Sequence, residues 1–134
     1  MKRFIFVLLF AGALSACSSG LTRRDEPGLK YVDYAGPPVE RVFAMRGVHG
    51  WTPVSRSQLV IWTGINDAWL IRVWDGCVNL GFANVIQVTQ TGHTISRFEK
   101  VRFENETCPI EEIRPIDVAR MKADRKAARE TTKP

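Results

Sequence analysis

Residues 58–74, QLVIWTGINDAWLIRVW, hold two runs of β-branched and aromatic side chains on either side of Gly64, Asn66 and Asp67. Such runs favour strands, and Gly, Asn and Asp favour the turn between them. Gln58–Thr63 and Ala68–Trp74 are therefore expected as an antiparallel pair, with Asp75-Gly76 closing the second. Side chains alternate along a strand. Leu59 and Ile61 share one face, and Val60 and Trp62 the other. On the second run Trp69, Ile71 and Val73 oppose Leu70, Arg72 and Trp74. A two-layer domain buries one face, so one tryptophan set either lies under a helix or remains at the surface. Packing against a C-terminal helix is the expectation.

Working outward, turn signals recur every 8–12 residues from Val39, the spacing of a small antiparallel domain. Val39–Met45 is a further strand candidate, and Asn84–Gln90 and Thr94–Phe103 flank a hairpin loop at Thr91-Gly92-His93. Phe98 and Val101 differ in parity, so one continuous strand cannot turn both inward; a bulge near Glu99-Lys100 would reconcile them. At the C-terminal end Asp117 suits a helix N-cap, with Ile116 and Met121 as a hydrophobic staple. Lys122–Glu130 favours helix but carries almost no apolar face, and is expected to fray by Thr131. The fold class expected is mostly β (α+β): a small antiparallel sheet or partly open barrel over residues 39–122, with a C-terminal helix and a basic helical tail over 123–134.

The whole chain has 134 residues, 45% hydrophobic and 25% charged, which suits one small globular domain and excludes wholesale disorder. Its net charge of +5 is uneven. Residues 114–134 hold seven basic and three acidic side chains, whereas 18–113 hold ten and eleven. Basicity belongs to the tail, and no nucleic-acid groove across the domain is expected. A basic helix end resembles a membrane-surface or partner-contacting segment, although a solvated helix end is the simpler reading.

Residues 1–16 read as an address. Lys2 and Arg3 precede an uncharged run, Phe4–Leu14, of 11 residues. As a helix that run spans about 16 Å, too short for a hydrocarbon core of roughly 30 Å. It reads as a secretory signal. Leu14-Ser15-Ala16-Cys17 resembles the lipobox of bacterial lipoproteins, whose cysteine is lipidated and becomes the mature N-terminus. The resemblance implies a lipid on Cys17, typically with three acyl chains, enough for stable anchoring. Ser18 stands where an Asp would resemble an inner-membrane retention signal, so the destination implied is the periplasmic leaflet of the outer membrane. The alternative is an ordinary signal cut near Ala16, with Cys17 a free thiol. Residues 17–38 read as the lipidated cysteine and a tether, with a coil-like span of roughly 25 Å; alternatively its second half packs as an edge strand.

If Cys17 takes lipid, Cys77 and Cys108 remain, in a compartment that permits disulfides. Pairing them would close a loop of about 32 residues and contribute roughly 3–4 kcal/mol; two buried thiols are the alternative. Their separation lacks the paired spacing of zinc modules, so no metal is expected. His49 and His93 each sit beside glycine in a turn, outside metal-binding patterns, and no serine lies in a nucleophile elbow. Glu111 and Glu112, adjacent on a strand, should point to opposite faces and make a poor acid/base couple. No catalytic residue and no cofactor is expected. Trp62 and Trp74 are the candidates for a ligand or partner surface, since exposed aromatics suit sugar rings or proteins.

The stretch Ser96–Phe103 followed by residues 108–117, CPIEEIRPID, resembles the ending of a family of small, uncharacterised proteobacterial lipoproteins. In that family a Cys-x-Ile-x-x-Ile-Arg-Pro-x-Asp ending follows an earlier cysteine placed as Cys77 is. The resemblance implies a Cys77–Cys108 disulfide and a strand-to-helix ending, and carries no activity. Arg114 is its charged member: a binder of a ligand carboxylate, or, as expected, the partner of an acid such as Asp117. The function expected is a membrane-anchored, periplasm-facing, non-enzymatic binding or accessory module with an envelope protein partner. An envelope glycan or peptidoglycan binder is the alternative, and a hydrolase the third reading.

Overall fold

The computed structural model describes residues 30–133. The lipobox, Cys17 and the first part of the expected tether lie outside the described residues. A 3-10 turn at Tyr31–Tyr34 is followed by β1 (Arg41–Phe43), β2 (Gly50–Pro53), β3 (Gln58–Trp62) and β4 (Ala68–Val73). A second 3-10 turn, Leu80–Phe82, precedes β5 (Gln87–Val88), β6 (Thr94–Ser96), β7 (Lys100–Phe103), β8 (Glu106–Ile116) and α1 (Val118–Thr131). The order β2-β3-β4-β8-β7-β5 makes a six-stranded antiparallel sheet that curls into a half-barrel; β1 and β6 form a small second sheet.

The long β8 is the spine. Its second half pairs with β4 (Ile71↔Ile113), and its first half with β7 (Val101↔Cys108) on the other edge. The alternation read from the sequence sorts two cores. Leu59, Ile61, Ile71 and Val73 face the concave side with Ile95, Val101, Ile110 and Ile113. Val60, Leu70 and Ala68 face outward, under Val118 and Met121 of α1 and beside Tyr34. Each buried Leu or Ile contributes about 1.5–3 kcal/mol, and a strand apolar on both faces is stable only where both are covered. The helix begins as expected: the Asp117 side chain accepts from the Arg120 backbone N–H at 3.0 Å, and Ile116 and Met121 share one cluster.

Several boundaries differ from those expected. Thr94–Phe103 is not one strand with a bulge. A turn at residues 97–99, closed by Glu99 N–H to Ser96 C=O at 3.0 Å, splits it into β6 and β7, and Phe98 is left 80% exposed. Ile95 and Val101 can both point inward because they belong to different strands with different partners, β1 and β8. Of Asn84–Gln90 only Gln87–Val88 is strand, and it pairs with β7, not β6. β2 is hidden in the sequence by Gly50 and Pro53, residues an edge strand tolerates.

Residues 31–38, assigned from the sequence to the far end of a tether, belong to the folded unit. Tyr34 is buried against α1, and its hydroxyl donates to Asp124 Oδ2 at 2.8 Å. The chain then runs antiparallel to β8, with bridges Ala35↔Ile116 and Val39↔Ile113. Among the described residues the fold therefore begins at Tyr31, and the packed edge segment replaces the tether there.

Candidate functional site

Cys77 and Cys108 are joined by a disulfide with a Cα–Cα distance of 6.0 Å, buried in the concave core between the loop after β4 and the start of β8. Two sulfurs bonded to each other offer no thiolate to a metal. The nearby Glu106 carboxylate instead accepts from Asn79 Nδ2 at 2.5 Å.

The four tryptophans divide by strand parity and by position along the sheet. Trp51 and Trp69 lie on the concave side, flanking Ile61 through the pairs Trp51↔Ile61↔Trp69. Trp69 is fixed by its indole N–H, which donates to Thr63 Oγ1 at 3.0 Å. Trp62 lies outside, half-buried at the rim of the cluster under α1. Trp74 is 55% exposed, with its ring against Gly76. Trp62 pairs with Ala68, six residues from Trp74, so the two rings are separated by about 20 Å of strand. The two tryptophans singled out from the sequence therefore lie at separate places on the fold.

Arg114 is likewise committed elsewhere. Gly36 donates its N–H to the Pro115 carbonyl at 2.8 Å, and an antiparallel pair of this kind normally returns a second bond. Proline has no N–H to return. The Arg114 guanidinium supplies the missing donor, with Nε to the Gly36 carbonyl at 2.7 Å. It also lies 3.8 Å from Glu112, while Asp117, the partner expected from the sequence, caps α1. The expected ion pair exists with a different acid. Gly36 suits the close approach: a Cβ there would lie 3.1 Å from Pro115 Cγ, and the proline ring would have to give by a few tenths of an ångström. Arg114-Pro115 thus works as a clasp that holds the incoming segment on β8.

The sequence also placed Glu111 and Glu112 on opposite faces, and a bulge overturns this. The register steps from Arg72↔Glu112 to Val73↔Ile110, leaving Glu111 as the extra residue. Both carboxylates then reach Arg72, at 2.5 and 3.7 Å. His93 sits in the turn between Thr91 and Thr94, edge-on to Phe43 at 6.2 Å. Glu99 accepts from the Thr89 and Thr91 hydroxyls, at 2.5 and 2.7 Å, and these bonds hold its carboxyl below the ordinary value of 4.5.

Among the described residues a candidate ligand groove lies at the outer end of the β3–β4 hairpin. A groove of about 810 Å³ is lined by Arg46, His49, Gly50, Trp62 and the turn Thr63–Asp67. Three local causes open it. Gly50 faces Trp62 across β2 and β3 without a side chain, and a Cβ placed there would meet nothing within 4 Å. The His49 backbone N–H, bonded to the Trp62 carbonyl at 2.7 Å, pins the chain just before β2. Lys122 Nζ, 2.8 Å from Asn66 Oδ1, ties the turn to α1. A half-covered indole, a guanidinium and an imidazole then share one wall system with the Asn66 amide and the Asp67 carboxylate. Such a set can stack on a flat apolar face and hydrogen-bond polar or anionic groups around it. Sequence reasoning found Trp62 but not Arg46 or Gly50. Their signal was the Arg-Gly-x-x-Gly spacing beside a strand rich in tryptophan, which carries no motif.

A model for a family of unknown function matches residues 1–132. The chain belongs to DUF6491. The match takes in both core cysteines and the Arg114-Pro115 clasp, so it spans the whole described fold and not the ending alone. Neither the curated proteins nor the solved structures contain a match to this DUF6491 chain.

Proposed function

We propose that this DUF6491 member is a lipid-anchored, periplasm-facing module of the cell envelope that binds a partner without catalysing a reaction, held at the outer membrane through Cys17. The lipobox resemblance at Leu14-Ser15-Ala16-Cys17 carries the anchoring half. The buried Cys77–Cys108 bridge supports it, because such disulfides persist in oxidising compartments. Among the described residues no helix is long and apolar enough to cross a membrane.

The groove beside Trp62 carries the binding half. Its test is a crosslinked pull-down from native envelopes, comparing the lipidated protein with Cys17→Ser and with Gly50→Val. A Cβ at Gly50 would meet nothing within 4 Å, so this substitution begins in open space. A stoichiometric partner lost in both variants supports the reading; one retained with Gly50→Val places binding away from the groove and refutes that half.

A second reading, an envelope glycan or peptidoglycan binder, draws on the same indole. It predicts retention on sacculi that falls at least about tenfold with Trp62→Ala, the scale of one buried aromatic contact, and is unchanged with the distant Trp74→Ala. Equal retention of Trp62→Ala rules it out.

A further inference from the structure

The six-stranded sheet stops short of a closed barrel. Its edges are β2 and β5, and among the described residues no backbone pairing joins them. A cleft of about 270 Å³ lies between them, walled by Val48 and Trp51 on the β2 side and by Val85, Ile86 and Val88 on the other. His49 and Gly50 line this cleft and also line the groove beside Trp62. The two hollows therefore meet at the start of one edge strand, on opposite faces of the sheet. Gly50 pairs with Trp62 on the outer face, whereas Trp51 packs on the concave core.

The strand between the hollows has unused backbone. The Val54 N–H donates to the Gln58 carbonyl at 2.9 Å, which turns the even-numbered positions of β2 toward β3. Trp51 consequently directs its N–H and C=O away from the sheet, and among the described residues no other segment bonds to them. Such an edge is a template for one more strand. An added strand sends successive side chains to opposite faces, here one into the groove and its neighbour into the cleft.

The lining says what each would be. The cleft is apolar. At the groove, Arg46 pairs with no acid among the described residues, and Lys122 Nζ reaches the neutral oxygens of Ile65 and Asn66, at 3.5 and 2.8 Å. Asp67, the acid of the lining, is folded back over Gly64. We infer that β2 is the docking edge for an extended segment of a partner protein, in which an acidic residue for the groove alternates with an aliphatic residue for the cleft. The inference rests on the groove's being the binding site and adds what fills it.

Residues 18–134, which retain every described residue, are titrated by fluorescence anisotropy with fluorescein-labelled hexapeptides of alternating Val and Glu or alternating Val and Lys. The Val-Glu peptide is expected to bind with a Kd at or below about 1 mM, and the Val-Lys peptide at least about tenfold more weakly. Arg46→Glu should weaken the Val-Glu peptide at least about tenfold. Val85→Asp, at a side chain 76% exposed, should weaken it by a few-fold with an unchanged melting temperature. The Trp51 amide should exchange more slowly in the saturated protein. No binding of the Val-Glu peptide, equal binding of the two peptides, or an unaltered Trp51 amide overturns the inference. If the envelope partner is nevertheless lost with Gly50→Val, the groove stands as the binding site and the added strand alone falls.

Discussion

The Arg114 clasp makes a prediction that only this arrangement makes. Arg114→Met keeps the length of the stem and removes the donor, leaving the Gly36 carbonyl opposite a proline nitrogen that cannot serve it. A hydrogen bond from a charged group contributes about 1.5–3 kcal/mol when shielded. The Arg114 side chain is 32% exposed, so water replaces part of that and about 1–2 kcal/mol is expected. For a domain of this size the melting temperature should fall by roughly 4–15 °C. The decisive comparison is with Pro115→Ala, which restores a backbone N–H facing the same carbonyl. In that background Arg114→Met should cost at most about half as much, giving a coupling of at least about 0.5 kcal/mol in a double-mutant cycle. Chemical denaturation of the four proteins reads it. Equal costs of Arg114→Met in both backgrounds would show that the guanidinium does not stand in for the missing N–H.

Other outcomes follow from named contacts. Reducing Cys77–Cys108 under denaturing conditions and refolding with the thiols blocked should lower stability by roughly 3–4 kcal/mol, the loop entropy for a separation of 31; melting curves that coincide with the oxidised protein's would contradict this. Asp117→Ala removes the cap on Arg120 N–H and should cost about 0.5–2 kcal/mol, with faster amide exchange confined to the first turn of α1. Glu99 is held below 4.5 by Thr89 and Thr91, so it adds stability at neutral pH that is lost as pH falls through its folded value. Thr89→Val with Thr91→Val should move its carboxyl titration, followed by NMR, back toward 4.5; an unmoved titration would contradict the assignment. Tyr34 is raised above 10.0 by burial first and then by its bond to Asp124, so its contribution is complete below pH 10.0 and fades as pH rises through its folded value. A spectrophotometric titration in which neither tyrosine ionises above 10.0 would refute it.

How far the sequence speaks is clearest residue by residue. The alternation in Gln58–Trp62 and Ala68–Val73 sorted the two cores correctly, because parity is a local property of an extended chain. The Asp117 cap and the Ile116–Met121 staple were legible for the same reason, their geometry lying within one helical turn. What escaped depends on partners far along the chain. The split at residues 97–99 is set by β1 and β8, which claim different halves of one apolar run. The Glu111 bulge exists only relative to β4, and it alone brings both glutamates to Arg72. Arg114 was singled out from the sequence, but its role needs Gly36, 78 residues away, and the groove needs Arg46 and Gly50 to meet the β3–β4 turn.

Anchoring at Cys17 underlies the proposed place in the envelope, and the mass of the mature N-terminal peptide tests it most directly. The account predicts a peptide that begins at Cys17 and carries acyl chains on that residue. An unmodified peptide, or a mature chain that begins elsewhere, would contradict it.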